Sequence, residues 1–229
     1  MNQIKSILDK VSATDNKIIR FPYMPYSEKI SKHVWFGIAT TFIEGLKVGT
    51  QQAKIWSQLI KYIHGDSACE YDLTKGICIV GGTGSGKTQT MSIMNEYIKI
   101  DSVVYMRGKQ QLTFNFRTIT SKEIISSYLA SGYDGILNYM NIGNLCIDDL
   151  GSEAVTANYF GTKLDVLTEI VETRYNKGLL THFTTNLDEE EINDRYNSRV
   201  YSRIKHSCNI IEMNDQDFRR SINPCIGKC

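Results

Sequence analysis

The sequence predicts an α/β fold in three layers: a parallel sheet with helices on both faces, preceded by a smaller helical region. Three observations carry that expectation. A glycine-rich loop, Gly81-Gly82-Thr83-Gly84-Ser85-Gly86-Lys87-Thr88, lies between an apolar run, Ile77-Cys78-Ile79-Val80, and a helix-compatible stretch over residues 88–99. A second apolar run, Leu145-Cys146-Ile147, ends in two acids, Asp148 and Asp149. A third, residues 179–185, ends at Asn186. Short apolar runs that alternate with longer helical stretches read as strand–helix units of a parallel sheet buried on both faces.

The totals set bounds. A chain of 229 residues holds one α/β domain with an appendage and a sizeable core. The formal net charge is +1, so no global field points to nucleic acid and any such surface must be local. Of the six cysteines, Cys78 and Cys146 lie in apolar runs and read as small core residues; Cys225 and Cys229 lack a second Cys/His pair for zinc. A reduced, cytoplasmic setting is expected. Residues 1–10 carry no signal-peptide apolar segment, and no run of about 18 apolar residues predicts a membrane span.

In chain order, residues 1–20 mix polar and apolar side chains, with Ile4, Ile7, Leu8 and Val11 at helical spacing. The proline-punctuated aromatic stretch 21–26 reads as a linker or turn. Residues 31–47 predict a helix with Val34, Trp35, Ile38, Phe42 and Leu46 on one face. Thr50 is placed to cap a second helix over 51–63, stopped by His64-Gly65-Asp66. Beyond the glycine-rich loop, 102–106 predicts a short strand, 107–111 a polar break, and the period-two alternation of 113–119 a second strand. Ser121 opens a helix through Ala130, and 132–144 is a loop with a short apolar helix inside it. Residues 151–160 form a turn-rich loop. An amphipathic helix is expected over 162–177, with Leu164, Leu167, Val171 and Tyr175 on one face and Gly178 at its end. Asp188 and Glu191 form a capping box for the next helix. A helix over 198–205 sets Arg199 and Arg203 on one face, and 209–213 is the last strand.

The chemistry starts at 81–88, which fits G-x-x-x-x-G-K-[ST] at every fixed position, in the strand–loop–helix context of a phosphate-binding P-loop. Gly81, Gly84 and Gly86 let the backbone turn and come close to a ligand. Together with Gly82, Thr83 and Ser85 they present consecutive amides to an anion, reinforced by the following helix N-terminus. Lys87 reaches the β- and γ-phosphates of ATP, and the Thr88 hydroxyl sits on Mg²⁺. Asp148 holds the same Mg²⁺, and Asp149 polarises the attacking water as a general base. The long interval from Lys87 to Asp148 has room for an inserted strand–helix unit. That favours the additional-strand ATPases over the kinase and GTPase class. Asn186 reads either as a turn residue or as a contact to the γ-phosphate and lytic water from the strand beside the P-loop. Arg199 and Arg203 read either as a solvated basic face or as the source of an arginine that reaches a neighbouring subunit's γ-phosphate.

The order of these signals resembles the AAA+ ATPases of the DnaC/IstB type, the replicative-helicase loaders and related transposition ATPases, over about residues 74–220. The segments that carry the resemblance are the P-loop, Leu145-Cys-Ile-Asp-Asp-Leu-Gly-Ser-Glu153, Ile170-Val-Glu-Thr-Arg-Tyr-Asn-Lys-Gly178, Thr184-Thr-Asn186 and Ser198-Arg-Val-Tyr-Ser-Arg203. The resemblance implies an AAA+ core over 71–229 with its lid reduced or absent. It also implies a helical region over 1–70 that either packs on that core or binds a helicase. It assigns Asn186 as sensor 1, Arg203 as the arginine finger with Arg199 as its companion, and Arg219 as a sensor-2-like residue. The acidic pair is Asp-Asp where relatives have Asp-Glu, and the shorter Asp149 implies slow hydrolysis. The implied function is ATP-dependent loading of a replicative ring helicase onto single-stranded DNA, through a homo-oligomer that ATP assembles. Arg107, Lys109, Arg117 and Lys122 are candidate DNA contacts. The alternatives are a transposition helper that binds duplex DNA and a non-hydrolysing ATP-dependent scaffold.

Overall fold

The chain begins with β1 (Ile18–Ile19), α1 (Glu28–Phe42), α2 (Thr50–His64), β2 (Gly76–Val80) and α3 (Lys87–Asp101) in the computed structural model, which describes residues 18–20 and 27–213. It continues through β3 (Val104–Arg107), β4 (Gln110–Thr113), β5 (Arg117–Thr120), α4 (Ser121–Ser131), α5 (Asp134–Asn141) and β6 (Leu145–Leu150). The last part holds β7 (Ala157–Tyr159), β8 (Thr162–Leu164), α6 (Val166–Asn176), β9 (Thr181–Thr185), α7 (Glu189–Tyr196), α8 (Ser198–Ser207) and β10 (Cys208–Glu212).

Five strands form the main sheet in the order β10-β2-β9-β6-β5, and every neighbouring pair is parallel. The strand–helix unit that fills the interval from Lys87 to Asp148, β5 with α4, lies beyond the acidic strand β6 at the end of the sheet, and the strand that stands between β2 and β6 is β9, which follows β6 in the chain. The strands are apolar on both faces because both faces are covered. Ile77, Ile79 and Cys146 belong to one core with Trp56, Leu59, Met94 and Tyr97; Cys78, Ile147 and Phe183 belong to the other with Ile124, Leu167, Ile170 and Ile204. A smaller antiparallel sheet has the order β1-β3-β4, and β7 and β8 form a hairpin.

Helices α1 and α2 share the first core with the P-loop helix α3. The Trp35 ring lies between Trp56 and Tyr97, with centroids 6.0 and 5.6 Å away. Arg20, just after β1, donates to the Tyr62 and Ile63 carbonyls at the C-terminus of α2, where a cation suits the helix dipole. Its guanidinium lies 3.4 Å from the Phe114 ring centroid.

Several boundaries differ from the sequence expectation. The first helix spans Glu28–Phe42 and gives way to a turn with Gly45 at φ 65°. Thr50 is the first residue of α2 and not its cap; Gly49 holds that place without a side-chain bond. The expected strand over 113–119 is two strands in two different sheets. The Asn95 side chain accepts from the Phe116 amide at 3.0 Å and donates to its carbonyl at 2.9 Å, replacing a strand partner. Phe114 and Phe116 are both buried at the break. The polar stretch at 107–111 is the tip of the β3–β4 hairpin, with Gly108 at φ 57°. The helix expected over 162–177 begins only at Val166, because the Asp165 side chain caps it by accepting from Thr168 N–H at 3.2 Å, and Thr162–Leu164 pairs with β7. The capping box at Asp188 and Glu191 is present. Ile4, Ile7, Leu8, Val11, the linker at 21–26 and Arg219 lie outside the described residues.

Candidate active site

The P-loop leaves the C-terminal edge of β2 and enters α3, at the edge of a parallel sheet where ligands of such folds bind. Gly84 and Gly86 have φ of 87° and 89°, a backbone that glycine adopts without strain. Gly81 is required for space: an added Cβ would stand 2.1 Å from the Met213 carbonyl oxygen. Two loop amides are already used inside the protein. Gly81 N–H donates to Thr185 O at 3.2 Å, and Ser85 N–H to Gly82 O at 3.3 Å. The first-turn amides of α3 have no intrahelical acceptors, so that end of the loop is the anion-binding one.

Lys87, the first residue of α3, is buried. Its ammonium donates to Gly81 O at 2.8 Å, Gly82 O at 2.9 Å and Asn186 Oδ1 at 2.7 Å. The Thr88 hydroxyl lies 2.9 and 3.1 Å from the two carboxylate oxygens of Asp148. Asp148 is buried, and Asp149 stands half-buried at φ 53°. The structure therefore brings Lys87, Thr88, Asp148 and Asn186 together from three adjacent strands and a helix. Lys87, Thr88 and Asn186 line a cleft of about 270 Å³ together with Gly86, Asp149, Phe42 and Glu44.

Those residues suit a nucleotide with its metal. Ser85 Oγ is buried in the loop without a hydrogen-bond partner, an orphan that a phosphate oxygen would satisfy. Among the described residues no group of three or more His, Cys, Asp or Glu side chains could hold a metal alone. One carboxylate and one hydroxyl, with phosphates and waters completing the shell, is the ligand set typical of Mg²⁺ in such sites.

The arginine pair is placed differently. On α8, Val200 and Ile204 are buried while Arg199 is exposed. Arg203 forms an ion pair with Glu172 of α6, and its guanidinium lies 5.5 Å from the Tyr175 ring centroid. Neither arginine has a described contact with Lys87, Thr88, Asp148 or Asn186. The four candidate DNA contacts are dispersed: Arg107 and Lys109 on the β3–β4 hairpin, Arg117 at the start of β5, and Lys122 just past its end.

Sequence reasoning passed over three residues that support this site. Thr184 bonds to both acids. Glu153 is buried, accepts from Gly151 N–H at 3.0 Å, and pairs with Tyr196 and Arg195, which ties the acidic loop to α7. Burial and the neighbouring Glu153 carboxylate raise the Tyr196 hydroxyl above the usual range. Arg174 is fully buried, and among the described residues its hydrogen-bond partners are neutral oxygens: the carbonyls of Tyr139, Ile142, Gly143 and Leu180 and the Thr181 hydroxyl. Burial lowers it to about 9. The signals were available: a cation on the apolar face of α6 with Leu167, Ile170 and Val171, and hydroxyls inside an otherwise buried strand.

No family model matches the chain, and no curated protein matches it. Solved structures do. DnaI superposes with a TM-score of 0.54 at 19% identity, over 76% of this chain and 88% of that one. The DnaC helicase loader gives 0.55 at 20% identity, over 80% and 99%. The fold is that of the DnaC-type AAA+ ATPases. AMPPCP-bound DnaA from Aquifex aeolicus gives 0.50 at 15% identity, over 77% of this chain and 51% of that one. At these identities the likeness is one of fold. No helix among the described residues is long and apolar enough to cross a membrane.

Proposed function

We propose that the chain is an ATPase that loads a replicative ring helicase onto single-stranded DNA, with ATP binding driving assembly and hydrolysis driving release. The observation that carries this reading is the meeting of Lys87 and Asn186 at 2.7 Å, beside the Thr88–Asp148 pair at 2.9 Å. A P-loop lysine, a polar residue just past the end of the neighbouring strand and an acid on the strand beyond it are the parts of a hydrolytic site. The shared fold with DnaI and the DnaC helicase loader supports the replication role.

In this reading Lys87 exchanges its loop carbonyls and Asn186 for the β- and γ-phosphates. Bound Mg²⁺ supplies charge neutralisation on the phosphate oxygens, held by Thr88 and Asp148. Asp149 accepts the proton of the attacking water, and Asn186 orients that water against the γ-phosphate. Arg203 acts on the site of a neighbouring copy, leaving Glu172 for that copy's γ-phosphate, with Arg199 beside it. Arg219 is proposed to contact the nucleotide from the C-terminal segment. Residues 1–70 form the helicase-binding part and 71–229 the ATPase core. On α1, Ile30 and Phe36 are about half exposed, which suits a partner surface.

Capture of a ring helicase from the same source tests the reading, with and without ATP and single-stranded DNA. Capture that requires ATP and is lost in Lys87→Ala is expected. Helicase-independent filaments on duplex DNA would contradict loading and favour the transposition helper. Binding of ATP without turnover, even with helicase and DNA, would favour the scaffold.

A further inference from the structure

Strand β9 is wholly buried, yet four of its five side chains are polar: Thr181, His182, Thr184 and Thr185. Buried polar groups are bonded, so each has a partner to identify. Three serve the framework. Thr181 accepts from Arg174 Nε at 2.9 Å and donates to Leu179 O at 3.1 Å. His182 Nδ1 accepts from Ile77 N–H at 3.1 Å. Thr185 donates to Leu150 O at 2.7 Å and accepts from Leu187 N–H at 3.0 Å.

Thr184 is different, because both of its partners are the acid pair. The β6–β9 register passes from Ile147↔Phe183 to Leu150↔Thr185, so Asp148 and Asp149 together oppose the single residue Thr184. That is a β-bulge, and it re-aims side chains at the strand end. The bulge sets Asp149 at φ 53°, a left-handed backbone uncommon for a residue with a side chain. It also takes the Asp149 amide out of the β6–β9 ladder, where an unpaired donor would be costly. The Thr184 hydroxyl accepts that amide at 2.9 Å. Its one proton then goes to Asp148 Oδ1, at 2.5 Å. The carboxylate so held faces the Thr88 hydroxyl. On the far side of Asp149, Ser121 Oγ donates to its carbonyl at 2.8 Å.

We propose that Thr184 is the positioning residue of the acid pair: one hydroxyl orients the Asp148 carboxylate for Mg²⁺ and fixes the left-handed turn that presents Asp149 to the cleft. The proposal rests on the reading of Asp148 as the Mg²⁺ ligand given above. It makes the strand that ends in Asn186 also the strand that sets the acids, through the chain Asp149 N–H to Thr184 O–H to Asp148. Groups that orient a metal ligand from behind are typically worth about 10–100-fold in metal affinity.

The test is binding of a fluorescent ATP analogue titrated with Mg²⁺, for wild type, Thr184→Val and Thr184→Ser. In Thr184→Val the half-saturating Mg²⁺ concentration should rise roughly 10-fold. It should return to the wild-type value in Thr184→Ser, while analogue binding in excess chelator is the same for all three. Thr184→Ala is the second hydroxyl-free variant if thermal unfolding shows that Val does not fold, and the same shift is expected of it. A hydroxyl-free variant that titrates like wild type overturns the positioning role, as does a serine variant no better than valine. A wild type that binds the analogue with no Mg²⁺ dependence overturns the Mg²⁺ site itself, and the positioning role with it.

Discussion

Lys87, Thr88, Asp148 and Asn186 reach one another inside a single chain through bonds of 2.7 and 2.9 Å, whereas Arg199 and Arg203 stand on α8 without a described contact to any of them. The first group is set by the sheet. Lys87 and Thr88 open the helix that follows β2, Asp148 lies on β6 and Asn186 just past β9, and the pairing of these strands fixes their separation. The second group is set by one amphipathic helix whose buried residues, Val200 and Ile204, orient the arginines outward. Among the described residues Arg203 is held by Glu172 and the Tyr175 ring, and a partly exposed ion pair of this kind contributes about 1 kcal/mol or less. Such an arginine changes partners at little cost, which is what a residue acting on a neighbouring copy needs. The first group is internal to the fold; the arginines lie outside it, on the surface of α8.

The largest effect expected from that difference is on turnover. Arg203→Ala should lower ATP hydrolysis about 1000-fold, the low end for arginine fingers, while equilibrium ATP binding to the isolated chain changes less than about twofold. An unchanged hydrolysis rate would place the arginine with the framework and erase the contrast.

A change of nearly equal size is expected in stability, and only on the internal side. Arg174→Leu removes the side-chain donor from the carbonyls of Tyr139 and Ile142 and leaves Leu180 O with the Leu145 amide alone, next to the starts of β6 and β9. Losing such a buried, fully bonded cation should destabilise the fold by about 3 kcal/mol in denaturant unfolding. Arg199→Ala, on the exposed face, should stay within about 0.5 kcal/mol.

A smaller effect depends on pH. His182 is buried against Phe116 and accepts the Ile77 amide, and burial lowers it to about 3 from 6.5. Below 6.5 the unfolded chain takes up a proton that the folded chain refuses until about pH 3. Stability is therefore full above 6.5 and falls toward pH 3, by roughly 1.4 kcal/mol per pH unit from this group. His182→Gln should remove that slope between pH 6 and 4 as followed by urea unfolding; an unaltered slope would assign the acid sensitivity to other groups.

How much of this was legible in the sequence follows the same division. The P-loop, the acids after Ile147 and Asn186 after Thr185 could be read because each lies at a fixed offset from an apolar run. The arginine pair could be read from helical spacing. What periodicity could not show were side chains that replace backbone. Asn95 takes over both hydrogen bonds of Phe116 and splits an apparent strand in two. Asp165 ends one pattern and starts another inside what looked like a single helix. The bulge at Asp148 and Asp149 inserts an extra residue that no alternation of apolar and polar residues reveals, so Thr184 passed for a buried strand residue like its neighbours. Arg174 was visible as a cation on an apolar face, but its four carbonyl partners come from three separate segments.

The central claim is that one chain holds the internal half of an ATP site and lends Arg203 to the next. It is tested most directly by mixing two inactive variants. Lys87→Ala should not bind ATP but still offers Arg203; Arg203→Ala should bind ATP but offers no finger. Steady-state hydrolysis measured across mixing ratios, with single-stranded DNA present, should be near zero for each variant alone and rise to a maximum in the mixture. A mixture as inactive as its components, under conditions where wild type turns over, would contradict a site shared between neighbouring copies.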